Sequence, residues 1–506
     1  MSSRYFGYSV NESLHFSFGS TGKLDPVVFS GFVPQEIQSR IVNNIYKATE
    51  VSQENDRREN KNNERDLKTG ITMYLLISHD CPLSCTYCLA ANEAYRKSQH
   101  LLMTPQIAVN AVLSCLPKIV EGGKLDVLLF GGEPLLGSKY IKEIVSRIKE
   151  EIAKSRPDIK LLWNITSSLA ILPEKIIPIL SENQFHILCD VDGPAEVHNC
   201  TRPFSNGKGS FESIVKNVNR LRSYGLLVNG RATITSHNVH ILSDVLKIHK
   251  EIGFWQTGLV PVVSFKCGGD LIDSNLLPSN EDIYKGLRKA LAANIYPPLD
   301  LFPQALFLSR LATNNYIYYP CGAPNDDIVV VEADGAKWPC IYFLGEKANR
   351  KGLGNVQGLA QTLEKRKSVC AQCSLLPLCG GGCIAEYAYF EDNKKQDIQI
   401  PWCAVAKATI DHIFEARVAE IKSCSIINKP SIIRNLFVPD PNKMSNLSEI
   451  CIVCCCESCT ASCTQCTGSC TYCLINKITD FSQWKSKIWD GMLHFAEDKV
   501  VVEALI

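Results

Sequence analysis

Short apolar segments alternate with longer helix-like segments between residues 72 and 295. The short segments are rich in β-branched and aromatic residues, which predicts strands, and the longer ones carry apolar residues at helical spacing. Such alternation predicts an α/β fold in which helices cover a parallel sheet and chemistry takes place at the carboxyl ends of the strands. The predicted strands are 72–78, 125–130, 161–166, 185–191, 227–235 and 259–265, and the predicted helices lie near 104–121, 138–155, 174–183, 210–224, 238–252 and 281–295.

Length, charge and cysteine usage narrow the class of protein. A chain of 506 residues is long enough for two or three domains. Its net charge of +1 provides no field for steering onto nucleic acid. The first twenty residues lack a signal-peptide core, and no run of eighteen apolar residues indicates a membrane span. With 24 cysteines, we therefore expect a reduced, metal-binding cytoplasmic protein with neither nucleic-acid nor membrane partners.

Three closely spaced cysteines follow the first predicted strand. Cys81, Cys85 and Cys88 have the spacing C-x3-C-x2-C. Iron–sulfur cubes are usually closed by four cysteines, so a triplet without a nearby fourth predicts a cluster with one open iron. The alternative is a zinc site, although zinc favours cysteine pairs with two further ligands downstream.

A second motif lies at the end of the next predicted strand, where the chain reads Gly131-Gly132-Glu133-Pro134. The triplet and this GGEP sequence together resemble the radical S-adenosylmethionine (SAM) superfamily. The resemblance implies a partial (β/α)6 barrel, a [4Fe–4S] cluster held by the triplet, and SAM on the open iron. It also implies the roles of three kinds of residue: Tyr87 near the adenine, Gly131 and Gly132 allowing close backbone approach, and Glu133 binding the ammonium of SAM.

Two further strand ends extend the resemblance. Thr166-Ser167-Ser168 stands where many relatives have Thr-Asn-Gly after the third strand. Asp190-Val191-Asp192-Gly193-Pro194, with His198 and Arg202, is similar to the Ser-x-Asp-Gly-Pro region of sulfatase-maturing and peptide-modifying members. Thr166 and Asp190 are thus candidate SAM contacts, with Asp190 replacing the usual serine. The alternative is that these polar residues cap helices.

A second cysteine array begins at Cys321 and continues to Cys403. Its spacing, C-x13-G-x4-C followed by C-x2-C-x5-C-x3-C and a final cysteine, resembles the SPASM domain, which binds auxiliary [4Fe–4S] clusters; the alternative is a zinc ribbon. The resemblance implies a first auxiliary cluster on Cys321, Cys340 and Cys383 and a second on Cys370, Cys373, Cys379 and Cys403. Relatives whose first cluster is fully ligated have a further cysteine a few residues after the one matching Cys321, whereas residues 322–327 of this chain contain none, so the resemblance implies an open iron or a bond to Asp326 or Asp327.

The cysteine-rich tail allows three interpretations. Residues 451–473 contain nine cysteines at quasi-periodic spacing, interspersed with Thr and Ser, and cannot form a hydrophobic core. The composition resembles cysteine-rich precursor peptides that SPASM enzymes cross-link through thioethers, such as six-cysteine SCIFF and CXXX-repeat peptides. The tail is therefore a fused or mimicked substrate, a further metal site, or a redox-buffering or disordered appendix. Residues 478–506 are predicted to form an amphipathic helix.

These patterns together predict four regions and one principal activity. The regions are an N-terminal segment and linker (1–68), the radical SAM barrel (69–300), the SPASM domain (301–425), and the tail (426–506). The N-terminal segment is a candidate leader-peptide-binding element. The resemblance implies a radical SAM maturase of oxidoreductase type, which uses a 5′-deoxyadenosyl radical to form thioethers in a ribosomal precursor peptide (RiPP) of sactipeptide, ranthipeptide, SCIFF or CXXX-repeat type. A flavodoxin or ferredoxin-type protein would supply electrons.

Alternative activities remain open from the sequence. They are a carbon–carbon crosslink, an oxidative decarboxylation, a sulfatase-maturase-like oxidation, or non-catalytic electron transfer. Sulfatase-maturing relatives place an aspartate base directly after the cysteine that matches Cys340, where this chain has Ile341. The sulfatase interpretation therefore lacks its proton acceptor.

Overall fold

A computed structural model provides the structure of the protein. It describes residues 5–11, 14–19, 27–30, 67–89, 101–266, 271–313, 320–344, 354–370, 373, 375–391, 400–423 and 432–434. Much of the N-terminal segment and linker (1–68), and the tail from residue 435 onwards, lie outside the described residues.

The described part of the chain is organised around an open, mostly parallel sheet. Its strand order is β10-β9-β8-β7-β6-β5-β4-β11-β12, and only β12 runs antiparallel to its neighbour. The strands are β4 (Lys68–Ser78), β5 (Ile119–Gly131), β6 (Lys160–Thr166), β7 (His186–Asp190), β8 (Val228–Ile234), β9 (Thr257–Pro261), β10 (Leu301–Phe302), β11 (Ile328–Val331) and β12 (Lys337–Trp338).

The predicted α/β fold is confirmed, because all six predicted strands occur as β4 to β9 in one parallel sheet. One boundary differs from the prediction of a helix over 104–121. The first helix ends at Cys115, where Pro117 falls in the following 3-10 turn and removes a backbone donor. Strand β5 consequently starts at Ile119, six residues before its predicted start at 125.

Helices follow the strands and cover the sheet. Along β4, Met73 and Leu75 belong to the apolar cluster shared with the surrounding helices, whereas Tyr74 and Leu76 belong to a second cluster with β11. Side chains on both faces of the strand are therefore buried, as parallel sheets require. The helices are α1 (Pro105–Cys115), α2 (Ser138–Ser155), α3 (Ile176–Glu182), α4 (Ala195–Thr201), α5 (Phe211–Ser223), α6 (Leu242–Ile252), α7 (Asn280–Ala292), α8 (Gln304–Thr313), α9 (Val356–Val369), α10 (Leu376–Cys379), α11 (Ile384–Glu391) and α12 (Pro401–Ser423).

The sheet continues into the segment that carries the second cysteine array. Strand β11 pairs in parallel with β4, with Ile328 opposite Thr72 and Val331 opposite Leu75. Strand β12 then pairs antiparallel with β11. The segment 301–425 thus contributes strands to both ends of the sheet, since β10 lies beside β9 at the opposite edge.

A separate four-stranded sheet contains the N-terminal strands. It comprises β1 (Tyr5–Asn11), β2 (Leu14–Gly19), β3 (Val27–Ser30) and β13 (Ile432–Arg434), and its pairings are antiparallel. Strand β13, which follows the barrel segment in the sequence, therefore completes the sheet formed by the N-terminal strands. No helix in the described residues is long and apolar enough to span a membrane.

Asp411 on α12 is a buried carboxyl group with incomplete hydrogen bonding. Tyr284 of α7 donates a hydrogen bond to its Oδ2 at 2.7 Å, while Oδ1 has no partner among the described residues. Burial, reinforced by Glu415, raises the pKa of Asp411 to about 6. Since the folded chain binds this proton more tightly than the unfolded chain, the contribution of Asp411 to stability falls as pH rises from about 4 to 6.

We expect Asp411→Asn to stabilise the protein above pH 7 by about 1–2 kcal/mol, allowing for partial compensation by exposed Lys407. Asparagine keeps the acceptor for Tyr284 and removes the buried charge. Urea unfolding at pH 5 and pH 8 measures the difference, with exposed Asp244→Asn as the control. An equal shift at both pH values would contradict a titration effect.

Candidate metal and cofactor site

A cavity opens at the carboxyl ends of the parallel strands. Its empty space is about 910 Å³, counting the open mouth. Every strand from β4 to β9, or the loop that follows it, contributes to the wall. The polar and cysteine residues of the wall are Cys81, Cys85, Tyr87, Cys88, Gly131, Gly132, Thr166, Ser168, Asp190, Arg202, Arg231 and Thr233. The structure therefore brings the cysteine triplet together with most of the predicted SAM contacts.

The cysteine loop is fixed on two sides by backbone hydrogen bonds. On one side, the Glu133 amide donates to the Asp80 carbonyl at 2.8 Å. On the other, the Ser84 amide donates to the Pro203 carbonyl at 2.8 Å and the Thr86 amide donates to the Thr201 carbonyl at 2.9 Å. These bonds hold the loop between the end of β5 and the segment after α4.

The three cysteines are free thiols in an electrostatically coupled group. Burial raises the pKa of Cys81 to about 12, and the neighbouring Glu133 and Cys88 raise it further. Burial also raises the pKa of Cys85, against the lowering effect of Arg202. Cys81 and Cys85 are therefore neutral without a ligand, and coordination to iron would deprotonate them.

The donor set suits a cluster better than a single ion. Among the described residues, no three His, Cys, Asp or Glu side chains are arranged to hold one metal ion. In an iron–sulfur cube each cysteine binds a different iron, so the thiolates surround the cluster instead of converging on one point. Three cysteines lining one cavity agree with that requirement.

Gly131 and Gly132 are required by the cysteine loop itself. A Cβ on Gly131, whose φ is +138°, would lie 2.2 Å from the Ser78 carbonyl oxygen. A Cβ on Gly132 would lie 2.5 Å from the Asp80 carbonyl oxygen. We expected these glycines to permit close approach of SAM. Both line the cavity, but the contact that excludes a side chain is with the protein's own backbone.

Glu133 has several protein hydrogen-bond partners in this structure. Its carboxylate is fully buried and lies outside the set of cavity-lining residues. It accepts hydrogen bonds from Ser167 Oγ at 2.7 Å, from the Ser168 amide at 2.9 Å and from the Leu135 amide at 3.1 Å. Burial raises the pKa of Glu133, and these donors oppose the rise. The carboxylate thus ties the end of β5 to the loop after β6.

We expect Glu133→Gln to destabilise the fold by about 2–4 kcal/mol, because the amide nitrogen of glutamine cannot accept the bonds made to a charged oxygen. Denaturant unfolding measures this loss, with the exposed Glu174→Gln as a control. An unchanged unfolding free energy combined with weaker SAM binding would instead indicate direct contact with SAM.

Asp190 lies in a buried network of charges on the cavity wall. Arg231 of β8 forms a bidentate ion pair with it, through Nε and through Nη2, the latter at 2.9 Å, and Arg202 approaches at 3.4 Å. Burial opposes ionisation, but the two guanidinium groups outweigh it and lower the pKa of Asp190. The carboxylate therefore stays charged, and it is occupied by protein partners on the cavity wall.

Tyr87 extends the same network. Its hydroxyl donates to Asp192 Oδ2 at 2.5 Å and accepts from Arg202 Nη1 at 2.8 Å. Burial raises the pKa of both Tyr87 and Asp192, so the tyrosine remains protonated. Thr166 also lines the cavity, beside Ser168.

The second cysteine array falls into two groups. Burial and Glu386 raise the pKa of Cys383, and Cys340 and Cys321 raise it further. These three cysteines pack on the apolar cluster that contains Tyr74 and Val330. In the other group, Cys370, Cys379 and Cys403 pack on a different cluster around Trp402, and the exposed Cys373 raises the pKa of each of these three.

The two aspartates after Cys321 have other partners. The Asp326 carboxylate accepts a hydrogen bond from Lys118 Nζ at 2.7 Å. Asp327 accepts one from Asn325 Nδ2 at 2.7 Å and lies 3.9 Å from Lys68 Nζ. Neither carboxylate is placed as a spare donor for the group of Cys321, Cys340 and Cys383.

Several cavity residues were not predicted from the sequence. Arg231 and Thr233 lie inside strand β8, and Val262, Val263 and Tyr342 form apolar parts of the wall. The signal for Arg231 was a charged residue within an otherwise apolar predicted strand. Ile341, which replaces the aspartate of sulfatase-maturing relatives, is buried at 3% exposure.

Comparison with known proteins agrees with this geometry. Residues 75–251 match the sequence model of the Radical SAM superfamily. A cysteine-type anaerobic sulfatase-maturating enzyme of Clostridium perfringens (strain ATCC 13124) is 22% identical over 342 residues, which cover 60% of this chain and 86% of the relative. A serine-type anaerobic sulfatase-maturating enzyme of Bacteroides thetaiotaomicron is 22% identical over 188 residues, covering 36% of this chain and 44% of the relative.

A solved structure supports the same fold. Native anSMEcpe with bound AdoMet superimposes with a TM-score of 0.55 at 19% identity, covering 70% of this chain and 99% of that one. The radical SAM family uses SAM and a [4Fe–4S] cluster, which suits three free cysteines at the carboxyl ends of the strands. Residues 75–251 therefore match the radical SAM superfamily in sequence, and the chain is similar to the anaerobic sulfatase-maturating enzymes over 60% of its length.

Proposed function

We propose that this protein is a radical SAM maturase that forms thioether links in a cysteine-rich ribosomal peptide. The observation that carries the proposal is the pair of three-cysteine groups. One, Cys81, Cys85 and Cys88, lines the cavity, and the other, Cys321, Cys340 and Cys383, is a second group of three whose following aspartates, Asp326 and Asp327, have other polar partners. Three cysteines leave one iron of each cluster for SAM or for a substrate.

The residues present fit the radical SAM cofactors. Cys81, Cys85 and Cys88 would hold the cluster, and the cavity beside them would hold SAM. When bound, the two supply a one-electron cleavage that yields a radical able to remove hydrogen from a substrate. The charged pair of Asp190 and Arg231 offers polar contacts, while Val262, Val263 and Tyr342 exclude water from the opposite wall.

Cys321, Cys340 and Cys383 support a thiol substrate. The aspartates that follow Cys321 are bound to lysines and an asparagine, and in this proposal a substrate cysteine is the fourth donor. A metal-bound thiol is deprotonated, and a thiolate is the nucleophilic form. We assign Cys370, Cys373, Cys379 and Cys403 to a second auxiliary cluster, and a flavodoxin or ferredoxin-type protein would supply electrons.

A peptide substrate is consistent with a related structure. One structure of native anSMEcpe holds AdoMet together with the Cp18Cys peptide, and it superimposes with a TM-score of 0.55 over 70% of this chain. The cavity of the present protein opens at the same end of the strands that carries the cysteine triplet. We infer that a peptide approaches through this mouth.

Sulfatase maturation is the second candidate function, because the sulfatase-maturating relative from Clostridium perfringens aligns over 86% of its length. The position of the expected aspartate base holds Ile341, whose buried aliphatic side chain cannot accept a proton. Thioether formation therefore fits the residues better.

Reductive cleavage of SAM is the first test. The reconstituted full-length protein should produce 5′-deoxyadenosine when given SAM and dithionite. Intact clusters without any 5′-deoxyadenosine would reject an enzymatic role and leave electron transfer as the function.

Mass spectrometry of the reacted peptide separates the two enzymatic candidates. A thioether costs two hydrogens per link and one alkylatable cysteine, and it resists thiol reductants. Oxidation of one cysteine without a new link would favour the sulfatase-maturase-like reaction, and a link that spares sulfur would favour another peptide crosslink.

The cysteine-rich tail provides the first peptide to test. The full-length protein is incubated with SAM and dithionite, and the digest is searched for links within residues 451–473. Deletion of residues 444–506 gives the complementary result. Loss of iron per chain would identify the tail as a metal ligand, whereas unchanged iron and lost self-modification would identify it as a fused substrate.

A further inference from the structure

A buried arginine contacts one cysteine of the second auxiliary group. Arg366 of α9 is 2% exposed, and its Nη2 donates to Cys403 Sγ at 3.3 Å. Its Nε donates to the Gly381 carbonyl at 2.9 Å. The guanidinium carbon also lies 5.4 Å from the ring centroid of Tyr387. The carbonyl and the aromatic ring therefore hold the guanidinium group against the sulfur.

The charge of Arg366 acts on two of the four cysteines in this group, Cys370 and Cys403. Burial raises the pKa of Cys370, and Arg366 opposes that rise most strongly. For Cys403, burial raises the pKa to about 11, and Arg366 again acts in the opposite direction. Arg366 consequently favours the thiolate forms that iron requires.

Hydrogen bonds to cysteine sulfur and nearby net charge set the reduction potential of an iron–sulfur cluster. Reduction adds one electron and makes the cluster more negative, while no covalent bond forms or breaks. A guanidinium group within hydrogen-bond distance of a ligand sulfur stabilises the more negative state.

We propose that Arg366 is a positioning residue for the second auxiliary cluster, which raises the reduction potential of that cluster through its hydrogen bond to Cys403. The inference rests on the proposed function, because it takes Cys370, Cys373, Cys379 and Cys403 as cluster ligands. Joining a substrate thiolate to a carbon radical leaves one electron over. A cluster of higher potential accepts that electron more readily.

Glu386 places a second ionisable group in the same interior. It is 2% exposed, and its Oε1 has no hydrogen-bond partner among the described residues. Its charge affects both Cys383 of the first auxiliary group and Cys403 of the second. Arg366 is therefore the positive group that faces this carboxyl between the two groups of cysteines.

The test is a redox titration of the reconstituted full-length protein, followed by electron paramagnetic resonance. Exposed Cys373→Ala identifies the signal of the second auxiliary cluster by its loss. We expect Arg366→Met to make one-electron reduction of that cluster at least tenfold less favourable, a shift of 59 mV to more negative potential. Arg366→Lys, which keeps the charge without the planar fork, should fall between this variant and the wild type.

Arg310 provides a matched control. It is also buried, at 1% exposure, and it donates to the carbonyl oxygens of Leu378 and Cys379, while its charge opposes the rise in the pKa of Cys379. Arg310→Met should shift the potential by clearly less than Arg366→Met. The cluster on Cys81, Cys85 and Cys88 is an internal control, whose potential should stay unchanged in all variants.

The outcomes distinguish this inference from the proposed function. Full iron content with an unchanged potential in Arg366→Met would overturn the role of Arg366. If Arg366→Met loses the second cluster, Arg366→Lys is measured instead. A more negative potential of its second cluster supports the role of Arg366, and an unchanged potential overturns it. If Cys373→Ala removes neither iron nor a signal from the otherwise native protein, the second auxiliary cluster itself is rejected.

Discussion

Replacing Cys85 with alanine should abolish production of 5′-deoxyadenosine and remove about four iron atoms per chain, the content of one cubane cluster. Cys85 is the middle member of the triplet and lies in a loop fixed on both sides by backbone hydrogen bonds. Its neighbours Cys81 and Cys88 alone offer two thiolates, which is too few to retain a cube. Iron analysis and chromatography of the SAM cleavage products measure the two effects.

A buried cysteine outside the cavity provides the control for this prediction. Cys115 lies at the end of α1 and is 3% exposed. Cys115→Ala removes a small buried sulfur in the same way, so iron content and SAM cleavage should match the wild type. Retention of full iron and activity by Cys85→Ala would exclude the triplet as the cluster site.

Replacing Gly131 with alanine should destabilise the protein by about 3–5 kcal/mol and reduce SAM cleavage strongly, combining overpacking with backbone strain. The added Cβ would lie 2.2 Å from the Ser78 carbonyl oxygen. The nearest atoms all belong to the backbone of Ser78, so rotation of a side chain cannot relieve the clash. Relief of this clash would displace the start of the cysteine loop. Denaturant unfolding and the SAM cleavage assay measure the two consequences.

Gly122 separates the effect of the clash from that of backbone strain. It also has a positive φ, +68°, but a Cβ there would meet no atom within 4 Å. Gly122→Ala should therefore cost only about 1–2 kcal/mol and leave SAM cleavage intact. Equal losses for both variants would indicate that strain alone, and not contact with the cysteine loop, determines the requirement for glycine.

The sequence was most informative where its signals are local. Strands β4 to β9 follow from apolar runs bounded by polar segments, and the triplet follows from spacing within eight residues. The end of α1 was missed because Pro117 acted as a local break within an otherwise helical pattern. These features depend on short-range chemistry that can be recognised directly.

The roles of individual side chains depended on contacts between distant residues. The SAM-binding role of Glu133 stays a prediction, and its sequence motif did not indicate that the serines after β6 bind its carboxylate. Asp190 replaces a serine, and its partner Arg231 lies on the next strand of the sheet. The motifs identify positions 133 and 190, but the hydrogen-bond partner of each carboxylate depends on strand order.

The pairing of β11 with β4 also could not be predicted from local sequence patterns. Ile328–Val331 is a short apolar run within the second cysteine array, and nothing in its sequence specifies β4 as its partner. Parallel pairing requires a long connection, so the register is fixed only when the complete sheet has formed.

Strand β11 covers an edge of β4 that would otherwise present unpaired backbone groups to solvent. A barrel truncated near residue 300 would expose the unpaired backbone groups of β4, the strand that leads into the cysteine loop. We expect such a fragment to self-associate. The segment 301–425 therefore keeps the barrel soluble in addition to carrying cysteines. Exchanging this segment between relatives would require redesign of the pairing between β4 and β11.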